Sequence, residues 1–347
     1  MSAQEAELRA RIDELSSKID LQPVFLKELE RDRSLAQRQL NAVVDPLERD
    51  LDSFTPRVSA VIWKHGEHLK HLEIWDDQDN RLHYDERDKN IIVLFDGTTG
   101  PLPLLESLTL ETSSPQRGFL APQIFELLSL APKIVSCTFR DIEYWYNLDV
   151  VSETLEIPRL RLLMFGNREH YPDIDEGILE CLSLPALEAL SVSVALSDLW
   201  SFLKRSSPPL QELVLGLPNH DSIRLHQSLH LIPSLALFKI WAPDAQAVVA
   251  LFGALADSPS LLPNLQRLVV RTMPRHPPTT SPYTSQFSWP TLLRVLSTRR
   301  FQFHISPVTK PPVDVLAALR ELAADGVQIY IGTRERNFIG PPSEGAI

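Results

Sequence analysis

Leu187-Glu188-Ala189-Leu190-Ser191-Val192 decides the fold, because its pattern of apolar, two others, apolar, one other, apolar returns along most of the chain. Upstream it appears at Leu160/Leu163/Phe165, Ile134/Cys137/Phe139, Leu105/Leu108/Leu110 and Leu69/Leu72/Ile74. Downstream it appears at Leu210/Leu213/Leu215, Leu235/Phe238/Ile240 and Leu265/Leu268/Val270, with weaker copies around Phe303/Ile305 and Ile329/Ile331. The third position recurs on average about every 29 residues between Ile74 and Ile331. Alternation of apolar residues over so short a run predicts a strand with one buried side. A helical run precedes each strand, so the chain reads as alternating helix and strand, an α/β class. Self-similarity at this period marks a solenoid: one unit cannot bury its own apolar face, and stacking makes the core continuous.

The period stands at the long end of the leucine-rich-repeat range. The expected architecture is therefore a leucine-rich-repeat solenoid, with parallel strands on a concave face and helices on the convex one. The asparagine usual after the third apolar position is missing from every unit, so irregular turns and uneven curvature are expected. Asp175 is expected to cap a helix carrying Ile178, Leu179 and Leu182, and Ser197 and Asp198 one carrying Leu199, Phe202 and Leu203. Asp244 opens a third, with Val248, Val249, Leu251, Phe252 and Leu255, and Pro311 to Asp325 form the last. Pro103, Pro132, Pro158, Pro185, Pro209, Pro233 and Pro263 stand just before strands, where a ring without an N–H ends a helix and costs no ladder bond.

Three regions follow. Residues 1–50 read as an N-terminal coiled-coil-like helical arm: Leu8, Ile12, Leu15 and Ile19 step by four, three and four, and Pro23 kinks the run. Residues 5–44 either make a homodimer or fold back on the repeats. Asp45-Pro46 stops the arm, residues 56–335 form the solenoid, and residues 336–347 are read as a disordered tail. Asp76 to Asp88 is an acidic insertion read as a solvated loop, and Met273 to Tyr283 a surface excursion.

Composition narrows the function. The 347 residues are 44% hydrophobic and 23% charged, values of a folded globular chain. A net charge of −11 disfavours nucleic acid as a partner, which would call for a basic face. No apolar run approaches a membrane span, and the charged start from Glu5 lacks a signal-peptide hydrophobic region. Cys137 and Cys181 both stand among apolar residues, which supports neither a disulfide framework nor a zinc site. A reducing cytoplasmic or nuclear compartment fits that usage.

The residues between the apolar positions point to the opposite side of each strand. That outward set carries acids early (Glu73, Glu111), apolar side chains in the middle (Leu162, Met164, Val214, Leu237) and cations late (Lys239, Arg267, Arg271). Trp75 and Trp241 are large outward aromatics, and aromatics beside arginines are the composition of protein-binding hot spots. The candidate partner-binding residues are Glu73, Trp75, Glu111, Arg140, Met164, Glu212, Lys239, Trp241, Arg267, Arg271 and Tyr330.

Chemical motifs fail on inspection. Ile91-Ile92-Val93-Leu94-Phe95-Asp96-Gly97-Thr98-Thr99 resembles the strand and loop of haloacid-dehalogenase phosphatases, but Leu94 stands at the nucleophile position and has no oxygen to attack phosphorus. It also resembles a sugar-kinase phosphate loop, without a second such loop; phosphoryl transfer around Asp96 is the remote alternative, and a repeat strand ending in a turn the preferred one. His65, His68 and His71 lack a completing carboxylate, and between His226 and His230 Gln227 replaces the general-base glutamate of a zinc protease. The chain thus reads as a non-enzyme without cofactor or metal.

Leu8-Arg9-Ala10-Arg11-Ile12-Asp13-Glu14-Leu15 and Gln37-Arg38-Gln39-Leu40-Asn41-Ala42-Val43-Val44-Asp45-Pro46 resemble the coiled-coil opening of the F-box leucine-rich-repeat proteins abundant in mushroom-forming fungi. Pro101 to Leu108, Leu184 to Leu190 and Ser206 to Leu213 resemble that family's repeats. The resemblance implies an adaptor that docks on Skp1 in a cullin-based (SCF-type) ubiquitin ligase and presents substrates on its repeats. One part departs from the pattern. The F-box, a three-helix module, follows the Asp-Pro in the family, whereas here Asp45-Pro46 runs within a dozen residues into the first repeat helix. The expected function is therefore a protein-protein interaction module like the substrate-recognition part of such an adaptor, without an F-box of its own. The alternative is a coiled-coil-dimerised scaffold unrelated to ubiquitination.

Overall fold

A computed structural model describes residues 62–76, 90–92, 100–112, 117–119, 121–140, 154–166, 171–173, 177–217, 225–243, 245–272, 288–306, 308, 310–333 and 336–340. All fall within one unit, Val61–Ile347. The arm expected at residues 1–50, its homodimer segment 5–44, Asp96, Asp175, Asp244 and the excursion from Met273 to Tyr283 lie outside the described residues, as does most of the acidic insertion.

Every apolar triad becomes a strand of one sheet. The strands are β1 (His71–Asp76), β2 (Ser107–Thr112), β3 (Ser136–Arg140), β4 (Leu162–Phe165) and β5 (Ala189–Ser193). They continue as β6 (Glu212–Gly216), β7 (Leu237–Trp241), β8 (Arg267–Arg271), β9 (Gln302–Ser306) and β10 (Ile329–Ile331). Each lies parallel beside the next in sequence, and no strand crosses over another. The fold is thus α/β and solenoid-like.

The register explains the triad. The second apolar positions align as Leu72, Leu108, Cys137, Leu163, Leu190, Leu213, Phe238, Leu268, Phe303 and Ile329, one row across ten strands. All ten are buried, as are the third positions from Ile74 to Ile331. Each Leu or Phe so buried contributes about 1.5–3 kcal/mol, and because its neighbours belong to the adjoining strands the stability is collective.

A backbone repeat runs beneath the side-chain repeat. The Glu106 carbonyl accepts from both the Val135 and Ser136 N–H, the Arg161 carbonyl from Glu188 and Ala189, the Glu188 carbonyl from Gln211 and Glu212, and the Gln211 carbonyl from Ala236 and Leu237. Immediately before this join, the Ile134, Leu160, Leu187, Leu235 and Leu265 amides donate three residues back to Ala131, Ile157, Leu184, Ile232 and Leu262. In each of these turns the second residue is one of the prolines noted above, whose fixed φ suits that position. The prolines start the turn that aims the strand.

Helices α1 (Ala121–Leu130), α2 (Leu196–Ser206), α3 (Leu225–Leu229), α4 (Ala245–Asp257), α5 (Trp289–Thr298) and α6 (Val313–Ala324) lie between strands. From α2 onward each packs beside the next. Buried residues on α4 (Val248, Leu251, Phe252, Leu255) recur at helical spacing. Phe252 meets Phe303 of β9 edge-on, ring centroids 5.7 Å apart, so α4 lies on the inward side of the sheet. Two arginines tie one unit to the one before. Arg205 at the end of α2 donates to the carbonyls of Leu182 (3.0 Å) and Leu179 (2.5 Å), and Arg299 after α5 donates to those of Leu261 (2.6 Å) and Ser258.

Four expectations change. A helix does not precede every strand: the stretch assigned to Asp175 holds only a 3-10 turn, Ile178–Cys181, entered through Gly177 in the left-handed conformation. Leu182–Ser183, directly after this turn, pairs with Leu155–Glu156 as a separate two-stranded sheet. Ser197 and Asp198 do not cap α2, which begins at Leu196 after Ala195; Asp198 falls in the first turn, where its charge suits the helix dipole. Asn90–Ile92 is a strand, but it pairs with Arg117–Phe119 and stands outside the main sheet. Finally, the chain after residue 335 is not all tail. Gly332 bridges to Asn337, Phe338 N–H donates to the Ile331 carbonyl at 2.7 Å, Asn337 Oδ1 accepts from Ile331 N–H at 3.2 Å, and Ile339 is buried. This hook satisfies the free edge of β10, which would otherwise offer unpaired backbone groups. Among the described residues, no helix is long and apolar enough to cross a membrane.

Candidate functional site

Three outward columns run across the sheet. The middle one reads Glu73, Thr109, Thr138, Met164, Ser191, Val214, Lys239, Val269, His304 and Tyr330 in register. It is open at its ends and closed between. Glu73 is exposed and His304 and Tyr330 are half-buried, but Met164, Ser191, Val214, Lys239 and Val269 are all buried.

In the next column, a short segment covers Ser193 and Gly216. Tyr171–Asp173 wedges between the ends of β4 and β5: the Asp173 N–H donates to the Phe165 carbonyl at 3.2 Å, and the Ser193 N–H donates to the Asp173 carbonyl at 2.9 Å. Gly166, at φ +78°, makes the turn, and a Cβ there would lie 2.9 Å from the Asp173 nitrogen. Ser193 Oγ donates to the Tyr171 hydroxyl at 3.3 Å, which sets the phenol over Ser193 and Gly216.

Two of the predicted binding residues therefore change status. Met164 is 8% exposed and forms part of the covered middle rather than of an open trough. Lys239 is 9% exposed; its stem is buried and its Nζ sits 4.8 Å from the Trp241 ring centre, the usual way a long cationic chain shelters its methylenes. Glu212 and Trp241 are half-buried, and the Trp241 indole N–H is buried without a hydrogen-bond partner among the described residues.

The remaining predicted residues gather into two separate patches. At the N-terminal end, Trp75 is 55% exposed, and in the same column follow Glu111 and Arg140, joined by a 2.7 Å ion pair. Glu73 stands beside them. At the C-terminal end, Arg267 is exposed and Arg271 half-buried, with Arg271 Nη1 donating to Ser306 Oγ at 2.5 Å. His304 Nε2 lies 2.9 Å from the same hydroxyl, and the His304 imidazole stacks on the Tyr330 ring. Burial, followed by the charges of Arg271, Arg267 and Lys239, pushes the His304 pKa down to about 4. His304 is neutral at physiological pH.

His304 was expected on the outward face, but neither it nor Ser306 was among the candidate binding residues. The only signal was alternation about Phe303 and Ile305, in the least regular repeat. Cys137 is fully buried, and burial raises its thiol pKa far above the ordinary value, so it is a core residue and no nucleophile. Among the described residues, no three metal-binding side chains lie together. No protein-family model matches the chain, and no curated protein matches it.

Proposed function

We propose that this chain is a non-enzymatic protein-binding module: a leucine-rich-repeat solenoid related to the substrate-recognition part of F-box adaptors, without an F-box of its own. The observation that carries the reading is Trp75, a large apolar side chain left 55% exposed on a sheet face beside the Glu111–Arg140 pair. The second patch, built from Arg267, Arg271, His304 and Tyr330, supports it. Aromatic and arginine side chains anchor protein interfaces because they give much contact area and directed hydrogen bonds. An indole held out on a rigid strand loses little entropy on docking.

The test is affinity capture with the full chain from its native cell, scored for recurrent partners and for Skp1. The expected result is a partner retained by the unaltered chain, lost with Trp75→Ala, and recovered without Skp1. Capture that is indifferent to Trp75→Ala counts against the sheet face, and recovery of Skp1 counts against the missing docking function.

A further inference from the structure

Val269 lies in register between Lys239 on β7 and His304 on β9, and on its own strand Arg267 and Arg271 stand two residues to either side. All five occupy the outward face, with Val269 and Lys239 as its buried floor, so that Lys239 acts through its charge from beneath. Two arginines four residues apart on one strand have Cα atoms separated by about 13 Å. Lys239 is set between them, one strand across. We propose that this diamond of side chains binds an extended peptide segment carrying carboxylates at alternate positions. The inference rests on the protein-binding reading and names the chemistry of one partner class.

Spacing and charge favour that occupant. In an extended peptide, alternate side chains on one side recur about every 7 Å, so acids two and four residues apart span the distance between the two guanidinium groups. Exposed Arg267 offers paired donors matched to a carboxylate, and half-buried Arg271, which gives Nη1 to Ser306, adds its charge at the other end. Neutral His304, stacked on Tyr330, extends the patch with a flat surface that adds no charge. A long polyanion is a poorer fit: a chain of net charge −11 repels it beyond the first contact, and three cations neutralise little of it. For a short acidic segment, screening confines that repulsion to about 8 Å at physiological salt, and the local cations dominate.

The experiment uses the full chain and three fluorescein-labelled peptides of about eight residues, alternating threonine with glutamate, glutamine or lysine. Fluorescence anisotropy is read at low and physiological salt. The glutamate peptide is expected to bind about tenfold tighter than the glutamine peptide, and to weaken with salt. Arg267→Glu is expected to lower that affinity about tenfold and to shift preference toward the lysine peptide, with Arg267→Gln between. Arg267 is exposed, so unchanged thermal melting of the Gln variant separates lost binding from lost fold. Equal binding of the glutamate and glutamine peptides, no binding of either, or affinity unmoved by Arg267→Glu overturns the proposal. So does preferential binding of phosphatidylserine vesicles over the glutamate peptide. Such a failure alongside Trp75-dependent partner capture removes this inference alone, whereas loss of Trp75 dependence removes the reading beneath it.

Discussion

The His304 imidazole lies flat on the Tyr330 ring, with centroids 4.3 Å apart and planes 7° from parallel. The two residues are direct register partners on β9 and β10, so the stack follows from strand pairing. Tyr330 is itself held by its hydroxyl, which donates to the Thr333 carbonyl at 2.6 Å. A proton on the imidazole would place a half-buried charge among three cations.

Stability is therefore expected to fall with acid through this site. An unfolded chain titrates histidine near about 6.5, and in the fold His304 titrates at about 4. Between those values the unfolded state binds more protons, so lowering the pH favours unfolding, and the effect is complete once the pH passes below the folded value. Urea midpoints measured at pH 7 and at about pH 4.5 check this. His304→Asn should lose less stability than the native chain over the interval, while the carboxylates common to both cancel in the comparison.

Arg299 links α5 to the unit before it through the carbonyls of Leu261 and Ser258. Burial lowers its pKa, although the side chain stays charged at any ordinary pH. Hydrogen bonds made by a charged donor each contribute about 1.5–3 kcal/mol, and part of that returns when water reaches the freed carbonyls. Arg299→Ala is expected to cost about 2 kcal/mol in denaturant unfolding. Arg299→Lys should recover little, because an ammonium cannot reproduce the planar fork that spans two carbonyls.

Most of the sheet was legible because its cause is repeated. The triad Leu187/Leu190/Val192 and its copies put the same apolar positions in the same places, and a strand side-chain period of two leaves one register that buries them. The closure of the outward face was not legible. Met164 and Lys239 are buried, and Tyr171–Asp173, a segment that nothing periodic marks, closes over Ser193 and Gly216. Apolar residues at Leu162, Met164, Val214 and Leu237 were the available hint, since several neighbours of that kind on one face signal a cover as readily as a partner. Asn337 was missed for a similar reason. Its side chain accepts from the Ile331 N–H and donates to the Ile329 carbonyl of β10, bonds that neither composition nor spacing encodes.

The two cysteines should differ in reactivity. Cys137 is fully buried in the second-position row, whereas Cys181 is half-buried at the end of the 3-10 turn, its pKa raised by burial and then by Glu180. Since the thiolate is the reacting species, Cys181 is expected to react with a disulfide reagent more slowly than a free thiol. Cys137 should react only at the rate of unfolding. Counting thiols released over time in native buffer and then in denaturant tests both statements, and rapid modification of Cys137 in native buffer would show that the inward row opens.

Gly216 provides the sharpest test of the closed middle. A Cβ at this position would lie 2.9 Å from both Cβ and Oγ of Ser193 and 3.0 Å from Cζ of Tyr171. The serine hydroxyl can rotate away and the phenol can shift, but the serine Cβ is held by its strand, so β5 and β6 must ease apart as well. Gly216→Ala is therefore expected to displace Tyr171 from its hydrogen bond with Ser193 and to cost about 1–3 kcal/mol, the range for overpacking a buried site. Tyr171→Ala alone removes the cover and its packing. Combined with Gly216→Ala it should cost less than the two single changes together, because the contact with the phenol is gone and only that with Ser193 remains. Equilibrium unfolding of the four chains in this cycle gives the coupling. Additive costs would mean that Tyr171 does not lie over Gly216 in solution.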